Sequence, residues 1–184
     1  LNEPKTDDWL QQVAAEFNLS ETAFLWRKEN NLWQLRWFTP TCEVKLCGHA
    51  TLASAHVLAR ELHVHHTEFL FSTLSGILIA KINETTITLH FPKIEPKLFS
   101  RIYLHNDDVG IKQLNLDSVA CYQAGEAIII EVASEDDVLH YQPEIEKIAK
   151  IDALGVILTG PSKNTDRDFV SRFFAPRAGI NEDP

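Results

Sequence analysis

The stretch Arg36-Trp37-Phe38-Thr39-Pro40, followed by Leu46-Cys47-Gly48-His49-Ala50-Thr51, decides the fold. Trp37 and Phe38 favour a strand, and Pro40 stops it. Gly48 lets another molecule approach the backbone closely. The run Ala50 to Leu62 is rich in Ala and Leu and predicts a helix. The first turn of that helix presents backbone N–H groups and a positive dipole end, with His49 beside them. Such a turn suits a small carboxylate. An ordinary strand-to-helix corner has the same local signature.

A second copy of the signal favours the binding-site reading. Arg172-Phe173-Phe174-Ala175-Pro176 repeats the pattern Arg-aromatic-Phe-small-Pro, 136 residues further on, with three of five positions identical. Both copies end a hydrophobic strand and lead toward a polar cluster, the second being Gly179 to Pro184. The repeat predicts an internal duplication, two similar domains facing each other. The helix of the second copy is then expected just past Pro184.

Working outward, 184 residues allow one large domain or two small ones, and a hydrophobic content of 45% is ample for a core. Net charge is −9 and the basic residues are scattered, which argues against nucleic-acid binding. No apolar run approaches the ~20 residues of a membrane span. Cys42, Cys47 and Cys121 form no CxxC pair and read as reduced thiols of a cytoplasmic protein. The chain starts at Leu1 and contains no Met, so it is expected to be incomplete.

Asp7 or Asp8 is expected to cap a first helix with Trp9, Leu10, Val13, Ala14 and Phe17 on its apolar face. Ala23 to Trp26 and Trp33 to Phe38 read as an antiparallel pair across a polar turn, Arg27 to Asn31. After the Ala50–Leu62 helix, Phe69–Thr73, Ile77–Lys81 and Thr86–Phe91 predict a meander turning at Ser75-Gly76 and Asn83-Glu84. Two prolines make Phe91 to Lys97 the expected linker. Beyond it, a short helix is expected at Val109–Leu114, strands at Ser118–Tyr122, Ala127–Val132, Gly155–Leu158 and Phe169–Phe174, and helical turns from Ser134 and Pro143. The class is α+β, with antiparallel sheets wrapped around or packed on helices.

Chemistry concentrates at a few positions. Glu21, between Ser20 and Thr22, sits at a helix-to-strand junction among apolar residues. Half-buried there, a carboxylate has a raised pKa and serves as a general acid/base; the plainer reading is a solvated turn residue. His49 is a donor to a bound acid or a structural histidine. Cys47 is a thiol activated by a helix N-terminus or a small buried residue. Glu182-Asp183-Pro184 occupies the matching corner of the second copy. His63-Val64-His65-His66 fits neither a helix face nor a standard zinc motif, so no metal site is expected. There is no Walker loop, GxGxxG or GxSxG.

At these residues the chain resembles the PhzF-like family of phenazine-biosynthesis isomerases. The matching segments are Ala15 to Phe24, Leu35 to Pro40, Glu43-Val44, Cys47 to Ala53, Thr73 to Gly76 and Asp168 to Pro184. The resemblance implies the diaminopimelate-epimerase fold: two similar domains, each a twisted, mostly antiparallel sheet wrapped around a central helix, with the active site in the cleft between them. The expected domains are residues 1–92, without the family's first strand, and 93–184, part of the second domain. The resemblance maps the family's catalytic glutamate onto Glu21, its supporting histidine onto His49 and an aspartate onto Asp183. It implies a cofactor-free proton shift on a small carboxylic acid held with the help of Ser20, Gly48 and Ala50, and a homodimer. Related epimerases place a catalytic thiol at this helix start, so a racemase using Cys47 stays open. A non-catalytic binding or scaffolding protein of the same fold is the other alternative.

Overall fold

The computed structural model describes residues 1–98 and 111–184, which form two compact units, Leu1–Lys93 and Ile94–Pro184.

In the first unit, α1 (Asp7–Phe17) is capped by Thr6, whose hydroxyl accepts the Trp9 N–H at 3.3 Å. Asp7 and Asp8, expected as caps, fall in the first turn, where they complement the helix dipole. Asn18 ends the helix in the left-handed region, φ 50°. Leu10 and Ala14 pack with Phe24 and Phe38, flanked by Val13 and Trp26. Phe17 lies outside this cluster and is exposed, while Trp9 meets the Phe24 ring edge-on.

The hairpin of β1 (Thr22–Glu29) and β2 (Leu32–Phe38) is antiparallel, with a register shift between Arg27 and Glu29 and a tight turn at Asn30 (φ 29°). The strand therefore runs through the charged residues expected in the turn. Their side chains are solvated while their backbone still joins the ladder. The other edge of β2 is shared: β4 (Glu68–Thr73) pairs with its start in parallel, and β3 (Glu43–Val44) with its end. β5 (Gly76–Ile82) and β6 (Ile87–His90) complete the meander, giving the order β1-β2-β4-β5-β6 with β3 beside β2.

Between β3 and β4 runs α2 (Gly48–His56), continued by a π-helical turn, Val57–Glu61. The helix touches β1, β5 and β6. Since β1 and β6 are the two edges of the sheet, the sheet curls round the helix. The buried residues of α2 are Ala50, Thr51, Ser54 and Ala55, small enough for that close approach. Trp37, Phe69, Phe71, Leu35, Leu58 and Leu78 are among the large, fully buried side chains of this unit.

The second unit holds a sheet in the order β11-β10-β9-β8-β7, where β7 is Lys97–Leu98, β8 Ser118–Ala124, β9 Ala127–Val132, β10 Gly155–Pro161 and β11 Phe169–Phe174. Lys97, expected in the linker, already pairs with Gln123. The helix expected from Val109 is a 3-10 turn at Ile111–Leu114 within the described residues; Val109 itself lies outside them. Helices α3 (Glu135–His140, capped by Ser134) and α4 (Ile145–Ile148) border the core with Ile128, Ile130, Val156, Leu158, Val138, Ile148 and Phe174.

Both sheets are mixed. Read across, each gives antiparallel, parallel, antiparallel, antiparallel pairings, the parallel ones being β2 with β4 and β9 with β10. The motif strand is interior in the first unit and an edge in the second. Among the described residues no helix is long and apolar enough to cross a membrane.

Candidate active site

Two short segments of the first unit build the site. One is the connection from α1 to β1: Asn18 reverses the chain, Ser20 follows half-buried, and Glu21 precedes the first residue of β1. The other is the start of α2. Cys47 is its extended N-cap (φ −145°, ψ 119°) and makes no side-chain capping bond. The first turn of a helix directs its N–H groups outward; here they belong to Gly48, His49 and Ala50.

The two segments meet. Glu21 Oε2 lies 3.2 Å from His49 Nε2, with the Glu21 side chain 7% exposed and that of His49 47% exposed. Cys47 Sγ lies 3.7 Å from His49 Nδ1 and 3.8 Å from Nε2. One donor atom each from Glu21, Cys47 and His49 falls within 4.8 Å of the others, the only such trio of His, Cys, Asp or Glu residues among the described residues. A buried carboxylate, a half-exposed imidazole, a thiol and a helix N-terminus thus share one corner. The arrangement can exchange a proton at Glu21 and hold an anion at the helix start.

Gly48 is exposed, and a Cβ added there would meet nothing within 4 Å. No packing inside the unit requires glycine at this position. What its missing side chain leaves open is the space directly above the helix start.

Sequence reasoning missed the residues that hold this corner in place. Arg36 donates through Nε and Nη2 to the two oxygens of Glu43, both at 2.7 Å, and through Nη1 to Asp7. Its guanidinium also lies 4.9 Å from the Phe38 ring centroid. The hydrogen bonds that Arg36 donates to Glu43 outweigh the opposing effect of burial and hold the Arg36 pKa above the ordinary arginine value. Gln11 Nε2 donates to the carbonyl of the buried Thr39 at 2.9 Å, tying α1 to the end of β2. Ser75 Oγ donates to the Lys45 carbonyl at 2.8 Å, pinning the segment just before Cys47 to the β4–β5 turn. The spacing from Arg36 to Glu43, repeated from Arg172 to Glu182 with a three-residue insertion, was the signal available.

Asp183 belongs to the second unit. Its backbone N–H donates to Phe173 O at 2.9 Å, one of its carboxylate oxygens is buried, and it lines a concavity of about 600 Å³ with Ile157, Ser171 and Phe173. Arg172 holds the neighbouring Glu182 by two bonds, 2.7 and 2.9 Å. Of the other thiols, Cys121 is fully buried in the second core, where burial pushes its pKa up. His63, with φ 51°, and its neighbours His65 and His66 form no three-donor group.

Residues 1–184 match the family described as "Phenazine biosynthesis-like protein". An uncharacterized isomerase of Halalkalibacterium halodurans is 42% identical over 183 residues, covering 98% of this chain and 66% of that protein. The chain thus spans about two thirds of the length of the curated relatives it matches. A crystal structure of a PhzF-family phenazine biosynthesis protein from Enterococcus faecalis superimposes with a TM-score of 0.82 at 35% identity, covering all of this chain and 68% of that one. A predicted epimerase from Pseudomonas aeruginosa, 16% identical with a TM-score of 0.57 over 83% of this chain and 59% of that one, shares the fold. With both mixed sheets, the helix-wrapped first unit and a match that runs from end to end, the chain belongs to the PhzF-like phenazine biosynthesis family.

Proposed function

We propose that this protein is an isomerase or epimerase of a small carboxylic acid, working without a cofactor, with Glu21 as the general acid/base. The observation that carries the reading is the Glu21 carboxylate, 7% exposed and 3.2 Å from His49 Nε2, beside the first turn of α2. The names of the relatives support an isomerase in general.

In this reading the substrate carboxylate docks on the N–H groups of Gly48, His49 and Ala50. The Glu21 carboxylate takes a proton from the carbon next to that carboxylate. The electron pair left behind spreads into the carboxylate, where the helix N-terminus stabilises it. Glu21 then returns the proton to another carbon, or an equivalent proton to the opposite face. His49 orients Glu21 and donates to the substrate. Ser20 lines the same connection, and the resemblance assigns Asp183 a polar substituent of the substrate. Water exclusion raises the basicity of Glu21.

The test is solvent deuterium uptake into a panel of small carboxylic acids. Uptake that disappears in Glu21→Gln supports the reading. Uptake that survives in Glu21→Gln sinks the assignment of the base, and no uptake with any acid favours a binding protein of the same fold. A second reading rests on Cys47 Sγ, which lies in the same cluster: a racemase with the thiol as one of two bases. Iodoacetamide separates the two, because alkylated Cys47 with turnover intact rules out the thiol mechanism.

A further inference from the structure

The trio Glu21, Cys47 and His49 has a second chemical meaning that proton transfer does not require. We infer that these three side chains form a binding site for a thiophilic divalent cation of the Zn²⁺ type. The binding claim stands on the geometry alone and does not depend on the isomerase reading.

The donors are a carboxylate oxygen, a thiolate sulfur and an imidazole nitrogen. This mixture suits Zn²⁺, and hard cations such as Mg²⁺ or Ca²⁺ ask for oxygen instead. Zinc bonds of about 2.0–2.3 Å at tetrahedral angles put neighbouring ligand atoms roughly 3.3–3.6 Å apart. The corresponding separations here are 3.2 Å for Glu21 Oε2 to His49 Nε2 and 3.8 Å for His49 Nε2 to Cys47 Sγ. Glu21 and Cys47 offer their ligand atoms within 4.8 Å of each other, so closing the trio around an ion takes a rotation of the side chains, and His49, with half its side chain exposed, has room to turn.

Charge points the same way. Binding releases the Cys47 proton to solvent, so the site brings one thiolate, one carboxylate and a neutral imidazole to a doubly positive ion. The two negative ligands neutralise it. Three protein ligands leave a fourth position for water or another small ligand, as in an open zinc site. The two segments that carry the ligands are each anchored: Ser75 holds Lys45, two residues before Cys47, and Asn18 bonds back to Ala14, three residues before Glu21.

A cation here occupies the Glu21 oxygen. If Glu21 is the proton-transfer base, Zn²⁺ is an inhibitor, and a chelator restores activity. The same three residues then make the site sensitive to the thiophilic metal ions of its surroundings.

The experiment uses the full chain, reduced and freed of metal by a chelator, with Co²⁺ as optical probe and Zn²⁺ as competitor. One equivalent of Co²⁺ is expected to produce the near-ultraviolet thiolate-to-cobalt band and intense visible bands of a tetrahedral site. Zn²⁺ abolishes both and Mg²⁺ neither. Cys47→Ser is expected to lose the near-ultraviolet band. Glu21→Gln and His49→Ala each weaken Co²⁺ binding at least ~10-fold, the lower end of what loss of even a ligand's supporting partner costs. A band that persists in Cys47→Ser, or that vanishes in Cys42→Ser, overturns the site. So does binding abolished by joint replacement of His65 and His66 with Ala. Should Cys47→Ser not fold, the isosteric Glu21→Gln decides, and unchanged affinity there overturns the inference. Deuterium uptake without a cobalt band removes the metal site and leaves the isomerase; a band without uptake does the reverse.

Discussion

Arg172 grips Glu182 with two parallel bonds, Nε to Oε1 at 2.7 Å and Nη2 to Oε2 at 2.9 Å, while its guanidinium lies 5.0 Å from the Phe174 ring centroid. Arg36, Glu43 and Phe38 repeat the arrangement in the first unit. The repeated pentapeptide is therefore the visible half of a larger repeated device. It makes Glu43 and Glu182 structural equivalents and puts Asp183 in the place of Val44, at the same corner that leads into α2 in the first unit. Arg172 also donates through Nη1 to the Val138 and Tyr141 carbonyls at 3.1 and 2.7 Å, and so ties β11 to the end of α3.

The pH dependence of this clamp follows from its direction. The hydrogen bond from Arg172, opposed by partial burial, lowers the Glu182 pKa. The stability it contributes is fully present above the unfolded glutamate pKa, about 4.3. It is lost as pH falls through the lower folded value. With Glu182 41% exposed, solvent screening holds the contribution below about 1 kcal/mol. Glu182→Gln is expected to lower the thermal midpoint slightly at pH 7, with the difference from the parent shrinking under acid; a difference that grows below pH 4 contradicts the clamp.

Glu21→Gln is expected to reduce deuterium uptake by about 10²–10⁴-fold, the usual worth of a positioned acid/base. The amide keeps the shape of the carboxylate, so the circular dichroism spectrum should match the parent. His49→Asn is expected to lower turnover less, since the base itself remains.

Ser75→Ala removes the bond to the Lys45 carbonyl without touching the proposed reacting groups. Loss of about 0.5–1.5 kcal/mol of stability is expected. Turnover should fall while substrate KM stays near the parent value, as a misplaced corner affects the transition state more than binding. An unchanged kcat would leave Ser75 a purely structural residue.

Two glycines give opposite outcomes. A Cβ at Gly160 would stand 2.8 Å from the Ser134 backbone oxygen and 3.2 Å from a Val138 methyl. Gly160→Ala therefore forces α3 away from β10 and should cost about 1–3 kcal/mol, read as a lower thermal midpoint. At Gly48 a Cβ meets nothing within 4 Å, and alanine is the better helix former. Gly48→Ala should fold as stably as the parent yet lose turnover, because the methyl fills the space above the helix start. Full activity in Gly48→Ala would move the substrate away from α2.

Much of this was legible locally. Aromatic and β-branched runs marked the strands, Pro40 and Gly48 marked the corner, and the repeat of Arg36–Pro40 at Arg172–Pro176 announced two related units. The Ala-rich segment predicted the helix that the sheet wraps, although its last turn is π-helical. Glu21 was singled out because a carboxylate between a helix and a strand has apolar neighbours on both sides. These features depend on residues near one another in the chain, where propensity, capping and turn chemistry operate.

Other features depend on contacts that no local signal encodes. The parallel pairings of β2 with β4 and β9 with β10 require crossovers whose register is set by the whole sheet. The Arg36–Glu43 and Arg172–Glu182 clamps need a strand end and its following corner to fold back together. Above all, Glu21 and His49 stand 28 residues apart in sequence and 3.2 Å apart in space. The sequence by itself determined which groups could act as acid, base or ligand. Only the tertiary structure decided that Glu21, His49 and Cys47 act on one another, because the sheet must curl round α2 before β1 and the start of that helix can meet.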